Sequence, residues 1–484
     1  MSKPIQESVR LISPGDFEPS QCWYPRALNA QIHPLVAFFL NLSEQRIMGR
    51  YCHLNPRVDR EVLQSILAYR PRYLMHAGAD LFHVTNEQGQ RRMVVIETNS
   101  SPSGHKSMPL LDENQEMGGY FTYMEQVFKP MVKSRRKGLD GGLAVLYDKN
   151  PMEALGYAGA MAEAFKEPVY YVPFFHFDED PPARFRDQVL EVRDEQGKWQ
   201  PIRAAFRYVT QRPWNRIPIQ TRTLILNPII ACLAGGRNKM TAAKAYDLYN
   251  ADLQGSGLQI HTPYTIWDVR KNEIPLWVKK LGGHAVIKVP YGNAGQGVYT
   301  VVNERELASF MQQEHSYEMF IVQSLIGNYH WSSRVDSGKL FHVGTMPNTK
   351  NLTYVADLRM MVGSTAEGLR PLAIYARRAQ SPLSDALGSA SDSWDMLGTN
   401  LSFDLGDGRF SSDSSRLLMM DRRDFNKLGI SVDELIEGYI QTLLSLIAID
   451  KMAQTLINKK GGLKTRLFTS LNNDESLIRE IISD

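Results

Sequence analysis

Residues 285–302 read Ala285-Val286-Ile287-Lys288-Val289-Pro290-Tyr291-Gly292-Asn293-Ala294-Gly295-Gln296-Gly297-Val298-Tyr299-Thr300-Val301-Val302. Two β-branched runs flank a glycine-rich turn, which predicts an antiparallel hairpin with Lys288 at the end of its first strand. Gly292, Gly295 and Gly297 leave backbone amides open to phosphate oxygens, and the Lys288 ammonium offsets polyphosphate charge. Taken alone, the glycines serve equally well as a flexible turn. The flanking order narrows the choice. A P-loop places its lysine after the glycines and opens a helix, a dinucleotide fingerprint also opens a helix, and a protein kinase carries its lysine on a later strand. Here the lysine comes first, with strand-like runs on both sides.

Moving outward, Asn238-Lys239-Met240 opens a helical stretch that leads to Gly257-Leu258-Gln259-Ile260-His261-Thr262-Pro263. Downstream come the apolar run Met319-Phe320-Ile321-Val322-Gln323-Ser324-Leu325-Ile326, then Asp357-Leu358-Arg359, Ala373-Ile374-Tyr375-Ala376-Arg377-Arg378-Ala379 and Thr399-Asn400-Leu401. This succession resembles the ATP-grasp superfamily, and its last part is similar to the RimK-like amino-acid ligases. The resemblance implies that Lys239, Lys288, Gly292, Gly295 and Gly297 hold the phosphates of ATP. It implies that Gln323 and Leu325 belong to the hinge strand that grips adenine, and that Asn400 lies near the metal-bound nucleotide. It also implies that Arg359, Arg377 and Arg378 steady the transferred phosphate, a task that planar guanidinium donors suit. Ser324 and Leu325 stand where the family often has a ribose-binding acid. Lys244, one turn beyond Lys239, is expected on a solvated helix face.

Near the start of the chain, residues 73–84 and 91–98 form two strand-like runs joined by Thr85-Asn86-Glu87-Gln88-Gly89-Gln90, a composition suited to a hairpin loop. They carry Gly78-Ala79-Asp80-Leu81 and Ile96-Glu97-Thr98-Asn99-Ser100-Ser101-Pro102-Ser103-Gly104. Glu97 and Asn99, two apart on a strand, point to one face, and Asp80 on the partner strand converges on them. Three hard oxygen donors suit magnesium. An exposed hairpin with chance polar residues is the plain alternative, opposed by the apolar Val95 and Ile96 beside the acid. These stretches resemble the "Gly-Val-Asp" and "Glu-x-Asn-x-x-Pro-Gly" metal strands of the same superfamily, where they normally follow the glycine hairpin. Their place at the front implies a circular permutation, which chains tolerate where termini lie close.

Between these parts, Leu143-Ala144-Val145-Leu146-Tyr147, a helical stretch over 154–165 and Val169-Tyr170-Tyr171-Val172 read as strand, helix, strand, the signature of a small parallel sheet. A hairpin over 189–193 and 199–208 follows. Arg203, Arg207, Arg212 and Arg216 cluster at its end, where Arg207 and Arg212 are candidates to clamp a substrate carboxylate; structural ion pairing serves them equally. His105 and Lys106 are candidate contacts to acid substrate or phosphate. Helical spacing predicts two helices over 33–67 and a long amphipathic one over 432–457.

With 484 residues the chain exceeds one ordinary core, so two or three lobes are expected. Hydrophobic residues at 43% and charged residues at 22% are those of a globular protein. Fifty-five basic and 52 acidic residues leave a net charge of +3 without a long basic run, so nucleic acid is not an expected partner. Cys22, Cys52 and Cys232 are far apart and suggest neither a disulfide framework nor a thiolate zinc site. The start lacks a signal-peptide core, and residues 442–449 are too short to span a bilayer, so a cytoplasmic protein without membrane contact is expected.

The expected fold class is α/β with α+β lobes: a circularly permuted ATP-grasp core with an inserted small parallel-sheet domain. The expected division is 1–135 for the permuted segment with the metal hairpin, 136–235 for a Rossmann-like pre-ATP-grasp domain, and 236–484 for the nucleotide-binding lobe and remaining core. ATP and Mg2+ are the implied cofactors. A small-molecule carboxylate and an amine, an amino acid or short peptide, are the implied partners, and a homodimer is compatible with the sequence. A phosphotransferase on the same fold and a nucleotide-binding protein without turnover are the rival readings.

Overall fold

The computed structural model describes residues 8–134, 138–176, 178–209, 214–292, 297–385, 387, 393–404 and 410–482. They form a mixed α/β structure with three main sheets. The first sheet has seven strands and is built on the expected strand-helix-strand unit: Gly142–Tyr147, the helix Pro151–Phe165, and Val169–Pro173, with the two strands parallel. Trp199–Tyr208 pairs parallel to Gly142–Tyr147 on its other edge, and Leu224–Leu226 pairs parallel to Trp199–Tyr208. The crossover helix packs closely because it is rich in small residues. A Cβ at Gly156 would meet the Tyr120 ring at 2.7 Å, and one at Gly159 would meet Phe17 at 2.8 Å.

The expected boundary near residue 135 is crossed by the structure. Arg10–Ile12 forms the edge strand of this first sheet, against Val169–Pro173, and Trp23, Tyr120 and Tyr123 belong to its core. The N-terminal segment therefore divides between two lobes.

The second sheet is wholly antiparallel, in the order Thr265–Arg270, Met319–Ser324, Ala285–Lys288, Val298–Val301. It contains the expected glycine hairpin. The third sheet joins the N-terminal hairpin, His76–Asn86 with Arg91–Asn99, to a second hairpin, Ala356–Thr365 with Gly368–Arg378, through antiparallel pairing of His76–Asn86 with Ala356–Thr365. Asp80 and Arg359, 279 residues apart in sequence, thus become strand neighbours.

Beneath the third sheet lies Val432–Leu456, started by a capping box in which Ser431 and Glu434 satisfy each other's backbone amides. The helix is buried on nearly every side, not on one stripe. Its core includes helices Pro34–Leu40, Glu44–Leu54 and Arg60–Leu67, three where two were expected, as well as the sheet. An element with apolar neighbours all round needs no polar face, which is why the amphipathic expectation fails. No helix among the described residues is long and apolar enough to cross a membrane.

Two buried side chains fix the N-terminal hairpin in place. Asp450, fully buried on the long helix, accepts from the Tyr69 hydroxyl at 2.8 Å and from the amides of Tyr73 and Leu74 at 2.7 and 2.9 Å. Asn227, just past the strand Leu224–Leu226, accepts from the Met75 amide at 3.0 Å and donates to the carbonyls of His76 and Ser100. Its φ of 48° is left-handed, a conformation asparagine tolerates better than most residues. Replacing Asp450 with Ala strands several buried donors, each costing about 1–3 kcal/mol. Urea denaturation of Asp450→Ala is predicted to show a loss of roughly 2–4 kcal/mol; a loss below about 0.5 kcal/mol would mean this tie does not hold the hairpin.

Candidate functional site

Register alone gathers charge on one face of the third sheet. Asp80 stands opposite Glu97 on one side and Arg359 on the other, Arg359 opposite Tyr375, and Asp357 opposite Arg377. Cross-strand neighbours on one face touch. Arg359 grips Asp80 with two parallel bonds, Nε to Oδ1 at 2.5 Å and Nη2 to Oδ2 at 2.7 Å. Arg377 Nη2 lies 2.9 Å from the same Asp80 carboxylate, and its guanidinium makes a second two-point contact with Asp357, whose Oδ2 also accepts from Thr399 at 3.0 Å. Burial opposes ionisation of Asp80, but the two guanidinium groups outweigh it and hold the carboxyl well below its usual range.

Two lysines approach from the second lobe. Lys239 opens the helix Lys239–Asp252, whose first turn is capped by Asn238, and its Nζ lies 3.3 Å from Glu97 Oε1 and 2.9 Å from the Gly292 carbonyl. Lys288, last in its strand, donates to the Ile96 carbonyl at 3.2 Å. Burial, with Lys239 nearby, lowers the Lys288 ammonium to about 8 despite the attraction of Glu97. Burial likewise opposes the charge on Glu97, yet Lys239, Lys288 and Arg237 keep its carboxyl below the ordinary value.

These groups face one cleft between the second and third sheets, with about 790 Å³ of unfilled space, part of it open to solvent. That is within the usual range of roughly 300–1,000 Å³ for small-molecule sites. Asp80, Glu97, Lys239, Lys288, Asp357 and Arg377 line its charged part. Phe82, Val286, Leu325, Ile326 and Leu397 line an apolar part, with Gln323, His342, Thr399 and Asn400 at its walls. Charge at one end and a greasy slot at the other match the two ends of a nucleoside triphosphate.

Not every sequence candidate comes to the cleft. Arg378, one residue beyond Arg377, follows strand alternation to the opposite face, where it bonds the Ala379 carbonyl at 3.2 Å and lies over the Tyr354 ring. Asn99 is buried, and its carbonyl oxygen already accepts from Arg237 at 3.0 Å. Gly297 has φ 72°, and a Cβ there would meet Val289 at 2.7 Å, so glycine is required at that turn. Gly295 and Arg212 lie outside the described residues.

Arg207 is fully buried, bonding the carbonyls of Asn227 and Val209 and the Ser100 hydroxyl. Arg203 pairs with Glu167, and Arg216 with Asp148 at 2.7 Å. His105 is enclosed by Tyr120, Tyr123 and Tyr157, where burial lowers its imidazole to about 4, and Lys106 lies over the Tyr24 ring. Lys244 is not solvated: it donates to Asp268 at 2.7 Å and to the Leu471 carbonyl at 2.6 Å. Helical spacing placed it on a free face, but the helix Thr465–Leu471 and the Trp267 ring cover that face.

Sequence reasoning missed Asp357 as a partner of Arg377, and it missed Glu153, Lys149 and Arg237. Glu153 is fully buried and accepts from the amides of Gly104 and His105 at 2.6 and 2.8 Å and from the Tyr208 hydroxyl at 2.6 Å. It thereby pins the loop that follows the strand Arg91–Asn99. An acid in an alanine-rich helix carries no sequence signal for that role.

For magnesium, the donors present are the Asp80 and Glu97 carboxylates on one cleft. Among the described residues, no group of three His, Cys, Asp or Glu side chains is placed to hold a metal. Two carboxylates with nucleotide oxygens and water completing the shell are nonetheless the usual protein share for this ion.

No family model matches the chain, and no curated protein does. Solved structures do. A glutathione synthetase-like effector from Globodera pallida in its apo form is 9% identical, with a TM-score of 0.39 over 72% of this chain and 86% of that one. A RimK domain ATP-grasp protein from Sphaerobacter thermophilus is 14% identical, TM-score 0.27, over 48% and 90%. N5-carboxyaminoimidazole synthetase from Staphylococcus aureus complexed with ADP is 10% identical, TM-score 0.24, over 49% and 70%.

The lowered Lys288 value predicts a pH dependence. A bound polyphosphate raises the lysine's affinity for its proton, so nucleotide binding is strongest while free Lys288 is charged. Nucleotide affinity measured by calorimetry is therefore predicted to be level below about pH 7 and to fall as pH rises through about 8, and Lys288→Arg should remove the fall because arginine stays protonated. A wild-type affinity level to pH 9.5 would contradict this placement of the phosphates.

Proposed function

We propose that this chain is an ATP-dependent carboxylate-amine ligase with a circularly permuted ATP-grasp core. The observation that carries the reading is the single cleft in which Lys239 and Lys288 from one lobe meet Asp80, Glu97 and Arg377 from the other, beside an apolar slot. Strands from the front of the chain and a glycine hairpin from its second half contribute to the same cleft. That supports the permuted order, since a lone metal hairpin would have no nucleotide lobe to face.

In this reading adenine lies against Leu325, Ile326 and Phe82, and the phosphates run toward Lys239 and Lys288. Asp80 and Glu97 would hold Mg2+, which would neutralise phosphate charge. Arg377, oriented by Asp357 and Asp80, faces the transferred phosphoryl group. Arg359, held by Asp80, the Ser103 carbonyl and the Tyr375 hydroxyl at 3.2 Å, stands behind the cleft and keeps the Asp80 carboxylate oriented. A carboxylate oxygen of the acid attacks the γ-phosphorus, the bond to the bridging oxygen breaks, and ADP leaves. An amine then attacks the acyl carbon, phosphate departs with the electron pair of the C–O bond, and the amine proton passes to solvent. An amino acid or short peptide is the proposed amine, and both substrates are small molecules.

The reading is tested by phosphate release from the purified chain with ATP, magnesium and pairs of amino acids. Release is predicted only when acid and amine are both present. Release that needs a hydroxyl compound and no amine would assign a kinase instead. Glu97→Gln is predicted to lower turnover at least 100-fold, about 2.7 kcal/mol, with an unchanged melting temperature; wild-type turnover would remove Glu97 from the site.

A further inference from the structure

Behind the strand Arg91–Asn99, three cations surround the loop Ser100–Ser101, and among the described residues no carboxylate pairs with any of them. Arg237 Nη2 and Lys149 Nζ both donate to the Ser101 carbonyl, at 3.2 and 3.4 Å, so their charged heads can be no further apart than those two bonds laid end to end. Arg207 donates to Ser100 Oγ at 3.3 Å on the same loop. The acid next to Lys149, Asp148, pairs with Arg216. Two buried donors here have no acceptor among the described residues: Nε of Arg237 and Nδ2 of Asn99, in side chains 9% and 4% exposed. Buried donors normally find partners, and a surplus of donors and positive charge around one neutral carbonyl lacks an anion. Burial and the guanidinium groups of Arg237, Arg207 and Arg359 also pull the Lys149 ammonium well below the ordinary lysine range.

Arg207, Arg237 and Asn99 are buried, whereas Lys149 as a residue is only partly buried. It stands just past the C-terminal end of Gly142–Tyr147, the end of a parallel strand at which ligands of such sheets bind. Arg359 connects it to the cleft: the same guanidinium that grips Asp80 donates to the Ser103 carbonyl at 3.3 Å, two residues along the loop.

We propose that Lys149 and Arg237 seat the carboxylate of the acid substrate, which enters from the C-terminal edge of the parallel sheet and meets the nucleotide across Asn99 and Arg359. This rests on the ligase reading. It takes the place of Arg207 in the carboxylate clamp, since Arg207 already has three acceptors. It also gives a specificity rule: the site takes a free carboxylate and rejects the corresponding amide, which cannot neutralise the cluster.

The test is calorimetric titration of the full chain with acetate and with succinate at constant ionic strength, alone and with magnesium and a non-hydrolysable ATP analogue. Saturable carboxylate binding is expected, undiminished by the analogue, absent for acetamide, and at least tenfold weaker in Lys149→Met, while analogue affinity stays within twofold of wild type. Lys149→Arg should recover most of the binding, which a variant that merely unfolds would not. Failure of wild type to bind either carboxylate, equal binding by Lys149→Met, or displacement of the carboxylate by the analogue would overturn the proposal; displacement would mean that the cluster holds nucleotide phosphate. Failure of wild type to bind the analogue would instead overturn the ligase reading.

Discussion

The charge network centred on Asp80 is the constraint on which the rest of the structure turns. One carboxylate, opposite Glu97 in the register, takes two bonds from Arg359 and another contact from Arg377, which is itself held by Asp357. A buried set of this kind is stable only when each charge keeps its partner. Removing one member exposes the others to the full cost of desolvation. The network spans strands from the first hundred residues and from the region after residue 350, so the chain cannot place the acid without also placing the arginines. Asp450 and Asn227 serve the same end from below, holding the backbone that leads into the Asp80 strand.

The second lobe completes the balance. Asp80, Glu97 and Asp357 lie with Arg359 and Arg377 on the third sheet, and Lys239 and Lys288 approach from the second lobe, leaving one positive charge over if all are ionised. Triphosphate brings about four negative charges, and divalent cations return part of that, so a complex of nucleotide and magnesium leaves the cleft closer to neutrality than nucleotide alone. Burial in this cleft, with Lys239 beside it, lowers the Lys288 ammonium, and the attraction of Glu97 offsets only part of that.

Much of the site was legible because it lies on strands. Period-two alternation put Glu97 on one face, and the lysine preceding a glycine turn put Lys288 at a strand end; both readings depend only on local pattern. The same rule that admits Arg377 excludes Arg378, and alternation from Asp357 across the hairpin would have told them apart had the register been known. Lys244, Glu153 and Asn227 were illegible for a different reason. Each sits in an ordinary helical or turn sequence, and its role comes from elements more than twenty residues away that close over it. The lobe boundary failed likewise, because an edge strand of three residues, Arg10–Ile12, gives no pattern of its own.

A crystal structure of the chain with magnesium and a non-hydrolysable ATP analogue tests the central claim most directly. The account predicts the polyphosphate between Lys239, Lys288 and Glu97, the metal on Asp80 and Glu97, and adenine against Leu325. Nucleotide bound elsewhere, or bound in this cleft with its phosphates turned away from Glu97, would contradict it.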